Sequence, residues 1–170
     1  AMQVEYSLVA RSIEREHVPA AKDGGMAIVP WSPLAGGFLT GKYQRESTQS
    51  RGRLSGANPF GDSKFTEANW KILDVVERVA KEINAKPAQV ALSWISQQAG
   101  VGSTIIGASK APQLADALGS LEISLSAQQM KELSQVSALS PEFSDSLVSP
   151  MIRKIVYGGH DVQGWGEDKS

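Results

Sequence analysis

The sequence contains no cysteine, only two histidines and no apolar run near the ~20 residues that a membrane-spanning helix needs. Without cysteine there can be no disulfide, thiolate metal ligand or cysteine nucleophile. His17 and His160 are far apart in the chain, so their spacing predicts no metal site. A formal net charge of -1 leaves no broad basic surface for nucleic acid. We therefore expect a cytoplasmic protein that binds neither nucleic acid nor membranes.

Apolar segments alternate with amphipathic ones along the chain, a pattern typical of parallel α/β folds. Strands are predicted at residues 4–8, 26–31 and 103–106, and helices at residues 11–23, 71–83, from 87, after Ser109 and from 126. About three parallel strands would leave two open sheet edges, which folded proteins usually avoid. The sequence therefore predicts one unit over residues 1–170 that forms the later part of a larger sheet or barrel. It includes a long loop at 35–64 and a C-terminal tail at 141–170.

The stretch WSPLAGGFLTGKY at 31–43 follows the second predicted strand, where ligands bind in parallel α/β folds. An indole at Trp31 suits stacking on a nicotinamide ring, and the glycines admit backbone N–H groups close to phosphate. Lys42 and an arginine at 51 or 53 would neutralise phosphate. A helix opening at Ser109 would direct N–H groups at an anion. Gln113 and Asp116, on about the same side of that helix, would hold the adenosine end.

Each of these features also has a purely structural explanation. Trp31 would be a core residue, the glycines would serve turns, and Ser109 would be a helix N-cap. Lys42 and Arg51 would be solvated charges, and Gln113 and Asp116 an exposed helix face. The sequence contains neither GxGxxG nor GxxxxGK[ST], so it has no Rossmann fingerprint and no P-loop.

Five segments together resemble the C-terminal half of aldo-keto reductases, most closely the bacterial and potassium-channel-β-subunit-like branch. They are QVEYSL at 3–8, IEREHVPAA at 13–21, PWSPLAGGFLTGKY at 30–43, KPAQVALSW at 86–94 and TIIGASKAPQLADAL at 104–118. The resemblance implies the C-terminal portion of a (β/α)8 TIM barrel. It also implies an NADP(H)-dependent oxidoreductase that reduces a small aldehyde or ketone by hydride transfer.

The resemblance further implies a set of cofactor-binding residues. Gln3 would hold the nicotinamide carboxamide and Trp31 would stack on the ring. The remaining residues would be Ser32, Pro33, Leu34, Ala35 and Gly36 along the pyrophosphate, Lys42 and Arg51 at phosphate, Ser109 and Gln113 at the 2′-phosphate, and Asp116 at the adenine. The chain departs from many relatives at Ala117, where they have asparagine, and at Gln113, where they have arginine but the channel-subunit branch has glutamine.

The catalytic Asp, Tyr, Lys and His of aldo-keto reductases lie in the N-terminal half, and no position here matches them. Tyr6 and Tyr43 do not match the proton-donor tyrosine, so no catalytic residue is assigned. We expect the parent protein to be the enzyme and this chain alone to be inactive. Its partners would be a carbonyl substrate and either the missing N-terminal half or another copy that completes the barrel. The alternatives are a non-catalytic NADP(H)-sensing or protein-binding half-barrel, or an inactive truncated fragment.

Overall fold

A computed structural model describes residues 1–45, 54, 63–147 and 149–160 of the chain. The chain divides into two compact units, residues 1–138 and 139–170. The elements of the first unit are β1 (Met2–Glu5), α1 (His17–Asp23), β2 (Ile28–Trp31), α2 (Glu67–Glu82), α3 (Pro87–Ser96), α4 (Ala111–Leu118) and α5 (Ala127–Val136). Short 3-10 helices lie at Ser12–Glu14, Ala35–Thr40 and Gly119–Glu122. The second unit contains α6 (Phe143–Leu147) and α7 (Pro150–Val156).

The strands β1 and β2 form a parallel pair, with Met2 opposite Ile28 and Glu5 opposite Trp31. β1 ends at Glu5, because the chain then turns. In this turn the backbones of Ser7 and Ala10 hydrogen-bond to each other. The predicted parallel α/β arrangement is therefore confirmed, although both strands are shorter than predicted.

A third segment lies on the other side of β2. The Ile28 N–H donates to the Gly100 carbonyl (2.7 Å) and the Gly102 N–H donates to the Ile28 carbonyl (2.9 Å). Ile28 and Val101 form an isolated parallel bridge. The chain after α3 therefore returns alongside β2 in the same direction.

The prediction of a third strand at 103–106 is wrong, because this pairing does not continue as a regular ladder. Pro30 has no N–H and cannot donate the next hydrogen bond toward the segment. The next bond runs from the Ile105 N–H to the Pro30 carbonyl (2.8 Å). The interval from Gly102 to Ile105 is one residue longer than the interval from Ile28 to Pro30. This extra residue disrupts the pairing as a bulge does.

The helices α2, α3 and α5 build most of the core, and their sequence signals are confirmed. The helical spacing of Ile72, Val76 and Val79 predicts one buried side for α2, and all three side chains are buried. Pro87 begins α3, where its missing N–H costs nothing. The spacing of Ser126 and Gln129 predicts a capping box, and the two residues form one at the start of α5.

Arg11 joins the loop after β1 to α5. Its guanidinium donates to the Ser134 carbonyl (2.7 Å) and to Ser137 Oγ (2.8 Å). It also makes two bonds to the Glu14 carboxylate, at 2.7 and 2.8 Å, and lies 5.3 Å from the centre of the Trp94 ring. Because Trp94 is fully buried, this cluster ties the end of β1 to the packed helices.

The helix α4 differs from its predicted orientation. The sequence predicts that Leu114, Leu118 and Leu121 face inward, but these side chains are 44%, 52% and 74% exposed. No residue of α4 is buried. The prediction is wrong because nothing among the described residues covers this amphipathic face.

In the part of the chain that the structure describes, no helix is both long enough and apolar enough to cross a membrane.

Gly102 is required by the close approach of two backbones. A Cβ at Gly102 would lie 2.9 Å from the Ala27 Cβ, whereas a Cβ at Gly107 would meet nothing within 4 Å. We expect Gly102→Ala to lower the free energy of unfolding by about 1–3 kcal/mol, as overpacking does. Urea denaturation measures this. Gly107→Ala is the matched control, and equal stabilities for the two variants would contradict the prediction.

Candidate functional site

The candidate site lies where β1 and β2 end at the same edge of the sheet. Gln3 is opposite Val29 and Glu5 is opposite Trp31, so these four side chains share one face of the sheet. The opposite face carries the buried Ile28 and Pro30. Gln3 is exposed and Trp31 is 42% exposed. The indole is thus not a core residue, and the structure brings Gln3 and Trp31 to the same open face.

The loop after β2 has an unusual backbone. Ser32 and Ala35 have φ values of 55° and 49°, and Gly36 and Gly37 have 66° and 92°. Left-handed conformations of residues other than glycine are strained and concentrate at functional sites. The Ala35 N–H donates to the Ser32 carbonyl (2.9 Å). Among the described residues, the N–H groups of Ser32, Leu34 and Gly36 donate to no other backbone group. Free N–H groups in such a turn can bind an anion.

Buried side chains hold this loop in place. Phe38 and Leu39, which follow the glycines, are fully buried. The Phe38 ring lies 4.8 Å from that of Trp70 on α2. Leu54 is also buried, and its N–H donates to the Tyr43 hydroxyl (3.1 Å). The loop is therefore fixed by the core before any ligand binds.

Gly36 and Gly37 each lie against one side chain. A Cβ at Gly36 would lie 2.8 Å from Leu54 Cδ2, and one at Gly37 would lie 2.5 Å from Lys42 Nζ. The Lys42 ammonium consequently packs on the backbone of Gly37, 5.0 Å from the centre of the Tyr43 ring. This geometry puts a positive charge on the same loop as the N–H groups of Ser32, Leu34 and Gly36, and a cation there would form charge-assisted bonds to a phosphate.

The other predicted residues, Ser109, Gln113 and Asp116, lie at and along α4. Ile105 bonds to Pro30, so the chain leaves the end of β2 just before this helix. The Ser109 N–H and Oγ both donate to Gln113 Oε1, at 3.0 and 3.1 Å. Ser109 and Gln113 are thus brought together. The N-cap itself is Lys110, one residue later than the sequence suggests.

Asp116 is held away from that pair by α3. Its Oδ1 lies 2.5 Å from Lys86 Nζ, and its carbonyl accepts from Gln89 Nε2 at 3.1 Å. Sequence reasoning missed Lys86, because its partner is distant in the chain. Any role of Asp116 at an adenine would have to coexist with this ion pair.

Sequence reasoning also missed an ion pair beside Trp31. Glu5 lies opposite Trp31 in β1, and its Oε1 lies 3.0 Å from Lys64 Nζ. The alternation of β1 places Glu5 on the same face as Gln3, which was a usable signal for Glu5. No local pattern points to Lys64. Arg51 lies outside the described residues, and its predicted role at phosphate stays a prediction.

The tyrosine hydroxyls near the site already have partners. Tyr6 is buried, and its hydroxyl donates to Glu14 Oε1 at 2.7 Å. Burial raises the pKa of Tyr6, and the carboxylate of Glu14 raises it further. The Tyr43 hydroxyl accepts the Leu54 N–H, and Tyr43 is buried. Within the described ranges, no group of three or more His, Asp or Glu residues is arranged to hold a metal ion.

The sequence matches a known family over the whole first unit. The match is to the Aldo/keto reductase family and covers residues 1–138. The chain belongs to this family. Aldo-keto reductases fold as a (β/α)8 barrel and generally use NADP(H). The resemblance drawn from the five segments is therefore confirmed, and it makes this chain part of an oxidoreductase family.

Individual relatives agree with this assignment. The chain is 37% identical over 133 residues to a probable aldo-keto reductase 1 of Glycine max, covering 78% of this chain and 38% of that protein. It is 34% identical over 134 residues to the uncharacterized oxidoreductase YrpG of Bacillus subtilis, covering 79% and 39%. A probable voltage-gated potassium channel subunit beta of rice is 29% identical over 148 residues, covering 85% and 42%. The chain thus spans less than half the length of these relatives.

The buried Tyr6 predicts a pH-dependent contribution to stability. A pKa raised on folding means that the native state keeps its proton where the unfolded tyrosine, with a pKa of about 10, loses it. The contribution is fully present below pH ~10 and falls as the pH rises further. Tyr6→Phe should lower the free energy of unfolding by about 1–2 kcal/mol near neutral pH, because the bond to Glu14 is lost. The difference in the free energy of unfolding between the wild type and this variant, measured by urea denaturation, should shrink toward pH ~11. A gap that stays constant or widens would contradict this account.

Proposed function

We propose that this chain supplies the nucleotide-binding part of an NADP(H)-dependent aldo-keto reductase that reduces an aldehyde or ketone in the cytoplasm. The observation that carries the proposal is the combination at one sheet edge of an exposed indole, free N–H groups and a lysine. Membership of the family supports it.

The nicotinamide would lie against Trp31. The indole of Trp31 is 42% exposed, so the nicotinamide ring could stack on it. Gln3 on the same sheet face offers an amide that can bond to the carboxamide. The Glu5–Lys64 ion pair lies next to this position and would help to orient the strand ends.

The pyrophosphate would lie along residues 32–36. The turn already holds its left-handed conformation in the absence of a ligand, so little ordering would be needed on binding. Pro33 and Leu34 shape the turn, and the Lys42 ammonium adds a charge-assisted contact. Arg51 is proposed as a second cation for the phosphates.

The adenosine end would lie at the start of α4. Gln113 Oε1 is occupied by Ser109, which leaves its amide N–H groups to donate to a 2′-phosphate. These polar donors favour NADP(H) over NAD(H). Asp116 is proposed to reach the adenine while it remains paired with Lys86.

Reduction needs a hydride, which NADPH supplies, and a proton for the carbonyl oxygen. Because Tyr6 and Tyr43 are both buried, and Tyr6 already donates its proton to Glu14, we propose that the proton comes from a part of the reductase outside this chain. The chain alone would then bind NADPH without consuming it. Binding without turnover even in a completed barrel would favour a nucleotide-sensing module instead.

Removing the Trp31 indole tests the nicotinamide contact. We expect Trp31→Ala to weaken NADPH binding about 2- to 10-fold, since aromatic stacking contributes about 0.5–1.5 kcal/mol. Isothermal titration calorimetry measures this without relying on tryptophan fluorescence. Met26→Ala is the matched control. Met26 is 38% exposed and precedes the first residue of β2, at the end of the strand away from Trp31. Equal affinities for the two variants would refute the stacking role.

Removing the Lys42 charge tests the phosphate contact. We expect Lys42→Met to weaken NADPH binding about 10-fold at low salt, as the loss of a charge-assisted bond does. The difference from the wild type should shrink at high salt, where the charge is screened. Lys71→Met, which removes an exposed lysine of α2, is the control. A similar loss in both variants would show only a general charge effect.

A further inference from the structure

Polar contacts with the first turn of α3 fix the C-terminal half of α4, in which no residue is buried. Gln89 Nε2 donates to the Asp116 carbonyl at 3.1 Å, and Lys86 Nζ lies 2.5 Å from Asp116 Oδ1. Gln89 Oε1 in turn accepts the Lys86 N–H at 3.0 Å. A Cβ at Gly119 would lie 2.6 Å from Gln89 Nε2, so the chain fits closely here. Asp116 is therefore held both at its backbone and at its carboxylate.

The carboxylate of Asp116 lies near the position proposed for a phosphate. Asp116 follows Gln113 by three residues, and helix residues with this spacing are surface neighbours, with about 5–6 Å between their Cβ atoms. Gln113 and Ser109 are bonded to each other and are the proposed contacts of the 2′-phosphate. A phosphate monoester carries about 1.5 to 2 negative charges at neutral pH, and a carboxylate beside it repels it. An uncompensated Asp116 would therefore disfavour a 2′-phosphate.

The Lys86 ammonium compensates that negative charge. It contacts the carboxylate directly, so the ion pair has no net charge. The side chains of Lys86 and Asp116 are 61% and 43% exposed, which leaves the pair accessible to a ligand. The two carboxylate oxygens can accept more than one bond, so the pair still has capacity for the amino group of an adenine. Exposed ion pairs contribute little to the free energy of unfolding, so a substitution of Lys86 should leave the fold intact.

We propose that Lys86 is a specificity-determining residue, which favours NADP(H) over NAD(H) by neutralising Asp116. Lys86 acts through the carboxylate and does not itself contact the 2′-phosphate. The acid is kept for the adenine, and the lysine from the neighbouring helix makes this acid compatible with a phosphate nearby. This inference deepens the proposed function and rests on it, because it requires the adenosine end of the nucleotide to lie at the start of α4.

The test compares NADPH and NADH binding by isothermal titration calorimetry at low salt. We expect Lys86→Met to weaken NADPH binding about 3- to 10-fold and NADH binding less than about 2-fold, because only NADPH carries the repelled phosphate. The NADPH loss should shrink at high salt, where the charges are screened. In the double variant Lys86→Met/Asp116→Asn neither charge remains. Its ratio of NADPH to NADH affinity should return to within about 2-fold of the wild-type ratio.

Lys81→Met is the matched control, because it removes an exposed lysine from the last turn of α2. It should leave the ratio of the two affinities unchanged, and circular dichroism should show that every variant is folded. An equal change of the ratio in Lys81→Met would reveal a general charge effect and overturn the inference.

The remaining outcomes separate this inference from the proposed function. Equal losses for NADPH and NADH in Lys86→Met would show that Lys86 only holds α4 in place, and would overturn the inference. A selective NADPH loss that persists in the double variant would mean that Lys86 binds the phosphate itself, and would overturn it too. In both cases the wild-type chain still binds NADPH, and the proposed function stands. A wild-type chain that binds neither nucleotide would overturn the proposed function and this inference with it.

Discussion

The arrangement of the candidate site depends on hydrogen bonding of β2 to a neighbour on each side. β1 pairs with one edge of β2, and the chain after α3 bonds to Ile28 and Pro30 on the other. Because all three segments run in the same direction, their C-terminal ends reach one edge. That edge receives Glu5, Trp31 and the start of α4, and Gln3 lies two residues before Glu5 on the same face of β1. Pro30 then ends the regular pairing, because its ring nitrogen has no hydrogen to donate.

The core behind β2 gives this edge its rigidity. Phe38 and Leu39 anchor the glycine loop. Arg11 fastens the loop after β1 to α5 through the Ser134 carbonyl and to α3 through the Trp94 ring. Buried polar networks of this kind fix geometry when every member has a partner. The strained turn at Ser32 and Ala35 can persist because its surroundings are well packed.

Local patterns in the sequence predicted much of this structure. The apolar spacing of α2, Pro87 at the start of α3 and the capping box of α5 are short-range signals, and each was confirmed. The order of five segments indicated the family. The break beside Pro30 was not predictable, because it depends on which edge of β2 the nitrogen faces. The ion pairs of Glu5 with Lys64 and of Asp116 with Lys86 join distant residues, and no local pattern reveals them. The exposure of Leu118 was also not predictable, because it depends on which other elements pack against α4.

The left-handed backbone of Ser32 has a consequence for how the protein can change over time. An L-residue in this conformation costs about 1–2 kcal/mol, and glycine would avoid most of that cost. The single substitution Ser32→Gly should therefore stabilise the protein, and it lies directly beside Trp31. If this turn binds phosphate, the added backbone freedom of glycine would make the turn less rigid in its ligand-binding conformation. Selection for thermal robustness and selection for nucleotide affinity would then act in opposite directions on this position.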